Sequence, residues 1–333
     1  MTMASASASG PKGLAGRGIA TFAVRAGAFG AFVAVIVYFI LFAPGFTSPF
    51  NIFNVVEQSA ILGVLAFGMA IVIIGGGSNI TEGGIDLSMA ANMGLCAAAY
   101  ASLLQAGYSD LVSVAAVLLV GAVVGAVNAL AVVGLGILPL LATLAVMNIA
   151  GGAELTLTEN TVVPASSPLL AFLMTGRFLD VSVLAWFLIL FSGLMAVAIH
   201  YTGVGLRLYA VGGHPEAARA AGLGVRRYVS LTYVFAGLCA AIASVLTVSR
   251  LSASTPGSNE MLLSILAAAL LGTVFSRRFV PTVGGTLLSV LFIGFLSNGF
   301  QLLNVSSYWV NGVQGALILL VVAATSFARG QEA

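Results

Sequence analysis

A chain of 333 residues that is 60% apolar and only 7% charged is not a soluble globule, because soluble domains carry about 25% charged residues. Its formal charge of +2 gives no basis for a nucleic-acid partner. Its two cysteines, Cys96 and Cys239, lie inside apolar runs as small core residues, which argues against a disulfide framework or a cysteine metal site.

Residues 1–27 are rich in Ser, Ala and Gly and carry Lys12, Arg17 and Arg25, the composition of a disordered tail. Residues 28–327 form the membrane domain, and 328–333 a second short tail. Apolar runs long enough to cross a bilayer core of about 30 Å recur throughout. The expected spans are 26–43, 58–75, 88–105, 111–133, 138–157, 181–200, 229–249, 261–276, 282–302 and 308–326. The first ends in Pro44-Gly45 without a small-residue cleavage site, so it reads as an uncleaved helix and not a secretory signal. The fold class is therefore an all-α polytopic membrane protein of ten helices.

Between the second and third spans, the run Gly75 to Ser88 holds too many glycines for a continuous helix and predicts a bend or re-entrant turn. Gly83, Gly84, Asp86 and Ser88 close this segment, and Asp86 or Ser88 is placed to cap the next helix. Gly134 to Pro139 predicts a tight turn before the fifth span. Gly125-Ala-Val-Asn128 in the fourth span is echoed by Gly294-Phe-Leu-Ser-Asn298-Gly299 in the ninth. The two asparagines lie 170 residues apart on helices threaded in opposite directions, as two inverted five-helix halves would place them.

Residues 201–228 form the longest polar interruption, with Arg207, Arg219, Arg226 and Arg227. Within it Pro215 presets the first helical φ, Glu216 suits the helix dipole, and Gly222 is a natural stop. The segment is either a short docking helix for a soluble partner or an ordinary basic loop. On the docking reading, Ala217, Ala218, Ala221 and Gly222 offer a small face, with Glu216 and Arg219 at its rim.

Alternate threading with the N-terminus inside collects ten basic residues on the inner side and leaves only Arg177 and Arg250 outside. This positive-inside bias places both termini in the cytoplasm. A phosphate-binding loop needs a lysine beside its glycines, and the single lysine is Lys12, in the tail. Spans four, six, seven, nine and ten hold no charged residue in their interiors, which weighs against a proton-coupled carrier. The chain is thus not read as an enzyme; its energy comes from a partner or an ion gradient, and the uncharged span interiors favour a partner ATPase.

The string AVGGHPEAARAAGL resembles the cytoplasmic coupling motif of ribose-type permeases of ABC importers, and GGIDLS resembles a second signature of that family. LPLLATLAVMNIAGGAELTL, LSILAAALLGT and VGGTLLSVLFIGFLSNGFQLLNVSSYW extend the likeness in the same order along the chain. Two places depart from the family pattern: GSNITE before GGIDLS, and Ser276 to Pro281, where relatives carry a glycine-rich turn. The resemblance implies a vitamin-B12-permease-like fold in a bacterial inner membrane. It also implies a partner ABC ATPase of the double-cassette kind, a periplasmic substrate-binding protein and a second permease copy, identical or not. Gly213, Pro215, Glu216, Ala217, Ala218, Arg219 and Gly222 then carry the ATPase coupling. No cofactor is expected on this chain; ATP and Mg belong to the ATPase.

Asn92, Asn128, Asn148, Asn298, Gln301 and Asn311 are uncharged polar residues within spans. Amides both donate and accept, which suits a neutral polyhydroxylated cargo such as a monosaccharide or polyol, although interhelical hydrogen bonding serves the same residues. A nucleoside or a furanosyl signalling compound is the alternative cargo, and an ion-coupled carrier acting alone is the alternative class.

Overall fold

Where the ten predicted intervals are described, they overlap helices. In a computed structural model, the described residues are 29–30, 32–77, 84–276 and 280–330, with backbone only for Ser307 and 320–330. The predicted tail at 1–27, most of the GSNITE insertion with Gly83, and Arg277 to Phe279 lie outside them. The helices are α1 (Phe32–Phe42), α2 (Pro49–Gly76), α3 (Met89–Gln105), α4 (Asp110–Ala129) and α5 (Pro139–Thr158). They continue with α6 (Pro168–Thr175), α7 (Val183–His200), α8 (Gly203–Gly213), α9 (Pro215–Ala220) and α10 (Val225–Leu251). The last are α11 (Met261–Val274), α12 (Val283–Leu302) and α13 (Ser307–Gly330). Among the described residues, six helices are long and apolar enough to cross a membrane: α2, α4 with its extension, α5, α7, α10 and α12.

The helix starts follow from local chemistry. Ser48, Ser167, Ser182, Thr202 and Thr282 each accept a main-chain N–H from the turn that follows. Pro49, Pro139, Pro168 and Pro215 stand in the first turns, where their missing N–H costs nothing. α4 ends in a π-turn, Leu130–Gly134, and Gly136 then turns the chain with φ +73° into Pro139, as the sequence predicts. Arg226 donates to the carbonyls of Val133 and Gly134 at 2.6 and 3.5 Å, supplying partners to the carbonyls at this helix end.

α2 is almost wholly buried and α10 mostly so; the other helices pack around them. α4 and α10 meet through Gly121 and Gly237, each against the other's carbonyl with no room for a Cβ. Small residues at a crossing let backbones touch where no hydrophobic effect drives helices together. Tyr100, Tyr233, Met89 and Met93 fill the interior beside this crossing.

The end of the bundle opposite α9 carries structure that the spans did not foretell. β1 (Val163–Pro164) pairs antiparallel with β4 (Ala253–Ser254), and β2 (Arg177–Phe178) with β3 (Val181–Ser182). Asp110 accepts from the Tyr100 hydroxyl at 3.2 Å and from Leu169 N at 3.1 Å, tying α3 and α4 to the start of α6. α13 stays helical to Gly330.

Candidate functional site

The 201–228 segment is not an open loop. It folds into α8, α9 and the first turn of α10, which starts at Val225 and not at 229. The glycines of α8 lower its helix propensity, which hides it in the sequence. Two of them stand where the backbone touches its neighbours: Gly205 against the carbonyl of Ile199, and Gly212 against that of Ile74. The Tyr209 hydroxyl donates to the Pro281 carbonyl at 2.8 Å, so α8 is fastened both to α2 and to the entry of α12.

α9 follows as a single exposed helix. Pro215 starts it; Gly222, at φ +83°, ends it. Gly222 N donates to Arg219 O and Leu223 N to Ala218 O, the paired bonds of a Schellman cap. Arg219 clasps both carboxylate oxygens of Glu216 at 2.7 and 2.8 Å on the outer face. Gly213, Pro215, Glu216, Ala217, Arg219, Ala221 and Gly222 are all exposed. Ala218 is not: at 5% exposure it faces the protein's own interior. Of the four small residues expected on one outward face, Ala217, Ala221 and Gly222 are exposed, and the expectation that Ala218 stands with them is corrected.

The glycine-rich break meets this module at the end of α2. Gly77 ends α2 at φ +86° beside the carbonyl of Gly212, and Gly84 N donates back to Gly77 O at 3.2 Å. Gly84 packs on the carbonyl of Val72. Close approach, and not a positive φ, is what requires glycine at 84.

Asp86 then turns inward and is almost fully buried. Its Oδ1 accepts from Ser88 N at 2.9 Å, from the Ser88 hydroxyl at 2.6 Å and from Asn128 Nδ2 at 3.2 Å. Asn128 Nδ2 also donates to Ser88 Oγ at 2.7 Å. Thr143 Oγ1 accepts from Leu87 N at 3.1 Å while donating to Pro139 O, so the start of α5 joins the same cluster. Neither Asp86 nor Ser88 makes a side-chain cap on α3; the pair instead locks the break to α4.

The other amides divide in two. Asn298 and Asn51 exchange reciprocal bonds of 2.8 and 2.9 Å between α12 and α2, both buried. Asn92 is buried within reach of Gly121 O at 3.4 Å and the Cys96 thiol at 3.5 Å. Asn148, Gln301 and Asn311 are exposed, and Asn148 bonds only its own helix, at Leu144 O. Asn128 and Asn298, the two echoes in the sequence, both pair across helices, but with unlike partners. Asn51 was not singled out in the sequence, and nothing local marks it. Glu154, in α5, is buried with its carboxyl against Gly94. Among the described residues, no group of three or more His, Cys, Asp or Glu is placed to hold a metal ion.

Residues 51–322 match the family model described as the branched-chain amino acid transport system / permease component. The chain is 36% identical to the ribose import permease protein RbsC of Bacillus subtilis, over 88% of this chain and 89% of that one. It is 30% identical to the L-arabinose ABC transporter permease protein AraH of Azospirillum brasilense, over 90% and 88% of the two chains. It is also 30% identical to the autoinducer 2 import system permease protein LsrD of Klebsiella pneumoniae, over 81% and 82%. No solved structure matches the chain.

Proposed function

This chain belongs to the permease-component family of ABC importers, and we propose that it is the membrane subunit through which a monosaccharide or related polyol enters the cell. It is a transport subunit and not an enzyme. The observation that carries the mechanism is α9: a short capped helix, exposed on one side and rooted through α8 in the most buried helix of the bundle. Such a helix transmits motion, because force applied to its exposed face reaches α2 through backbone contacts that cannot slide past a side chain.

In this reading a double-cassette ATPase seats Ala217, Ala221 and Gly222 in a groove, with Glu216 and Arg219 at the rim, and supplies the ATP and Mg. A periplasmic binding protein delivers the cargo, and a second permease copy completes the path. The chain threads ten times through the inner membrane with both termini inside, the direction favoured by its basic residues. Asn148, Gln301 and Asn311, being exposed in the single chain, are the amides free to face cargo at the interface with the second copy. Asn92, Asn128 and Asn298 act at one remove, by holding helices together.

The cargo assignment rests on relatives named for ribose and L-arabinose. It is tested by measuring ligand binding to the partner periplasmic protein with a panel of pentoses, hexoses, polyols, nucleosides and furanosyl compounds. Binding of a pentose or hexose is the expected result; binding confined to a nucleoside or furanosyl signal would move the assignment to the alternative cargo.

A further inference from the structure

A cavity of about 820 Å³ opens on the flank of the bundle, at the end that carries α9. Its walls come from the last turns of α7, from α8 and from the first half of α10, with Met195, Leu231, Phe235 and Leu238 giving an apolar lining. Arg207 and Arg227 also line it, both exposed. Neither makes a hydrogen bond or ion pair among the described residues; Arg226, between them in sequence, is engaged with Val133, and Arg219 with Glu216. The surface around it is apolar, with Leu194, Val197, Val204 and Leu231 each more than half exposed.

We propose that this cavity is a binding site for one anionic phospholipid, its headgroup phosphate on Arg207 and Arg227 and an acyl chain along the α7–α10 wall. An apolar slot crowned by two free guanidiniums at a membrane boundary matches a lipid's own division into chain and phosphate. Charge also speaks against a second copy of this chain as the occupant. Among the described residues at this end, the acids are Asp86, buried under Ser88 and Asn128, and Glu216, clasped by Arg219. Neither is free to meet two arginines. Gly222, Leu223 and Gly224, which end α9 and lead into α10, form part of the same wall. A lipid seated there braces the base of the coupling helix. The inference rests on the chain lying in a membrane and is independent of its cargo.

The test uses the full transporter, with its ATPase, in vesicles. Leu231→Trp is introduced in a Trp186→Phe, Trp309→Phe background, and its fluorescence is quenched with brominated phosphatidylglycerol or brominated phosphatidylcholine. With about a fivefold contribution expected from each arginine, the anionic lipid quenches at markedly lower mole fraction, and added salt narrows the gap. Arg207→Gln with Arg227→Gln abolishes the preference; Arg207→Lys with Arg227→Lys, which keeps the charge, retains it and shows that the site still folds. Equal quenching by the two lipids would overturn the proposal, leaving an ordinary lipid-facing surface. Absence of quenching by either would overturn it too, by showing the slot covered by protein. Failure of sugar uptake with intact lipid preference would count against the cargo assignment alone.

Discussion

Gly212 of α8 lies against the main-chain carbonyl of Ile74 of α2, with no space for a Cβ between them. These residues are far apart in sequence, and their contact joins the module that carries α9 to the helix at the centre of the bundle. Two glycine-rich motifs, one at 203–224 and one at 75–88, thus share a single joint.

The joint is tested by adding one methyl group. Gly212→Ala must push α8 off α2, and overpacking of this kind costs about 1–3 kcal/mol. Gly203→Ala, in the same helix but facing open space, is the control and should be near neutral. Thermal unfolding in detergent and substrate-stimulated ATPase activity should both fall for Gly212→Ala and hold for Gly203→Ala.

The Asp86 cluster makes a graded prediction. Asp86→Ala leaves Asn128 Nδ2 and the Ser88 donors short of an acceptor in a buried site, a loss of about 1–3 kcal/mol. Asp86→Asn keeps an oxygen where Oδ1 stands and should be milder by thermal unfolding. Normal stability but lost uptake in Asp86→Asn would assign the charge itself to transport.

The Asn51–Asn298 pair is suited to a double-mutant cycle, because each amide both gives and receives. Replacing either with Leu should destabilise, and replacing both should recover part of the loss. The coupling energy expected for a polar pair between membrane helices is about 0.6 kcal/mol, reaching about 1.7. Strict additivity would mean that the pair contributes nothing.

α9 separates docking from folding. Ala221→Trp and Ala217→Trp place bulk on the exposed face and should uncouple ATP hydrolysis from uptake with the permease intact. Ala218→Trp, aimed inward, should instead lower the yield of folded protein. Glu216→Gln and Arg219→Gln change an exposed ion pair and should act gently, since such pairs contribute about 0–1 kcal/mol.

Much of this architecture was legible in one sequence because its signals are local. Pro139 and Pro215 open helices, Gly136 and Gly222 turn the chain at positive φ, and the apolar runs mark most of the long helices to within a few residues, although α2 starts well before its run, at Pro49. What stayed hidden depends on partners distant in sequence. Asp86 reads locally as a cap, yet Asn128 from another helix decides its role. Ala217 and Ala218 are the same residue type side by side, and only the packing of α9 on its neighbours tells the exposed one from the buried one. α8 was missed because its glycines argue against a helix until the close contacts they permit are seen. β1 and β4 form only because the chain segments after α5 and α10 end side by side.

Orientation has its own check. A cysteine at exposed Ala221 should be labelled only from the cytoplasm, and one at exposed Ser166 only from outside. Ser276 is nearly buried, which makes it a poor labelling site for this purpose. Labelling of Ala221→Cys from outside in intact cells would reverse the threading.

The most direct measurement is uptake of a radiolabelled monosaccharide into vesicles that contain the permease, its ATPase and the loaded binding protein. Uptake is expected to require internal ATP, to persist when ion gradients are collapsed, and to be lost in Ala221→Trp although the permease remains folded. Uptake by the permease alone on an ion gradient, or full ATP-driven uptake in Ala221→Trp, would contradict that expectation.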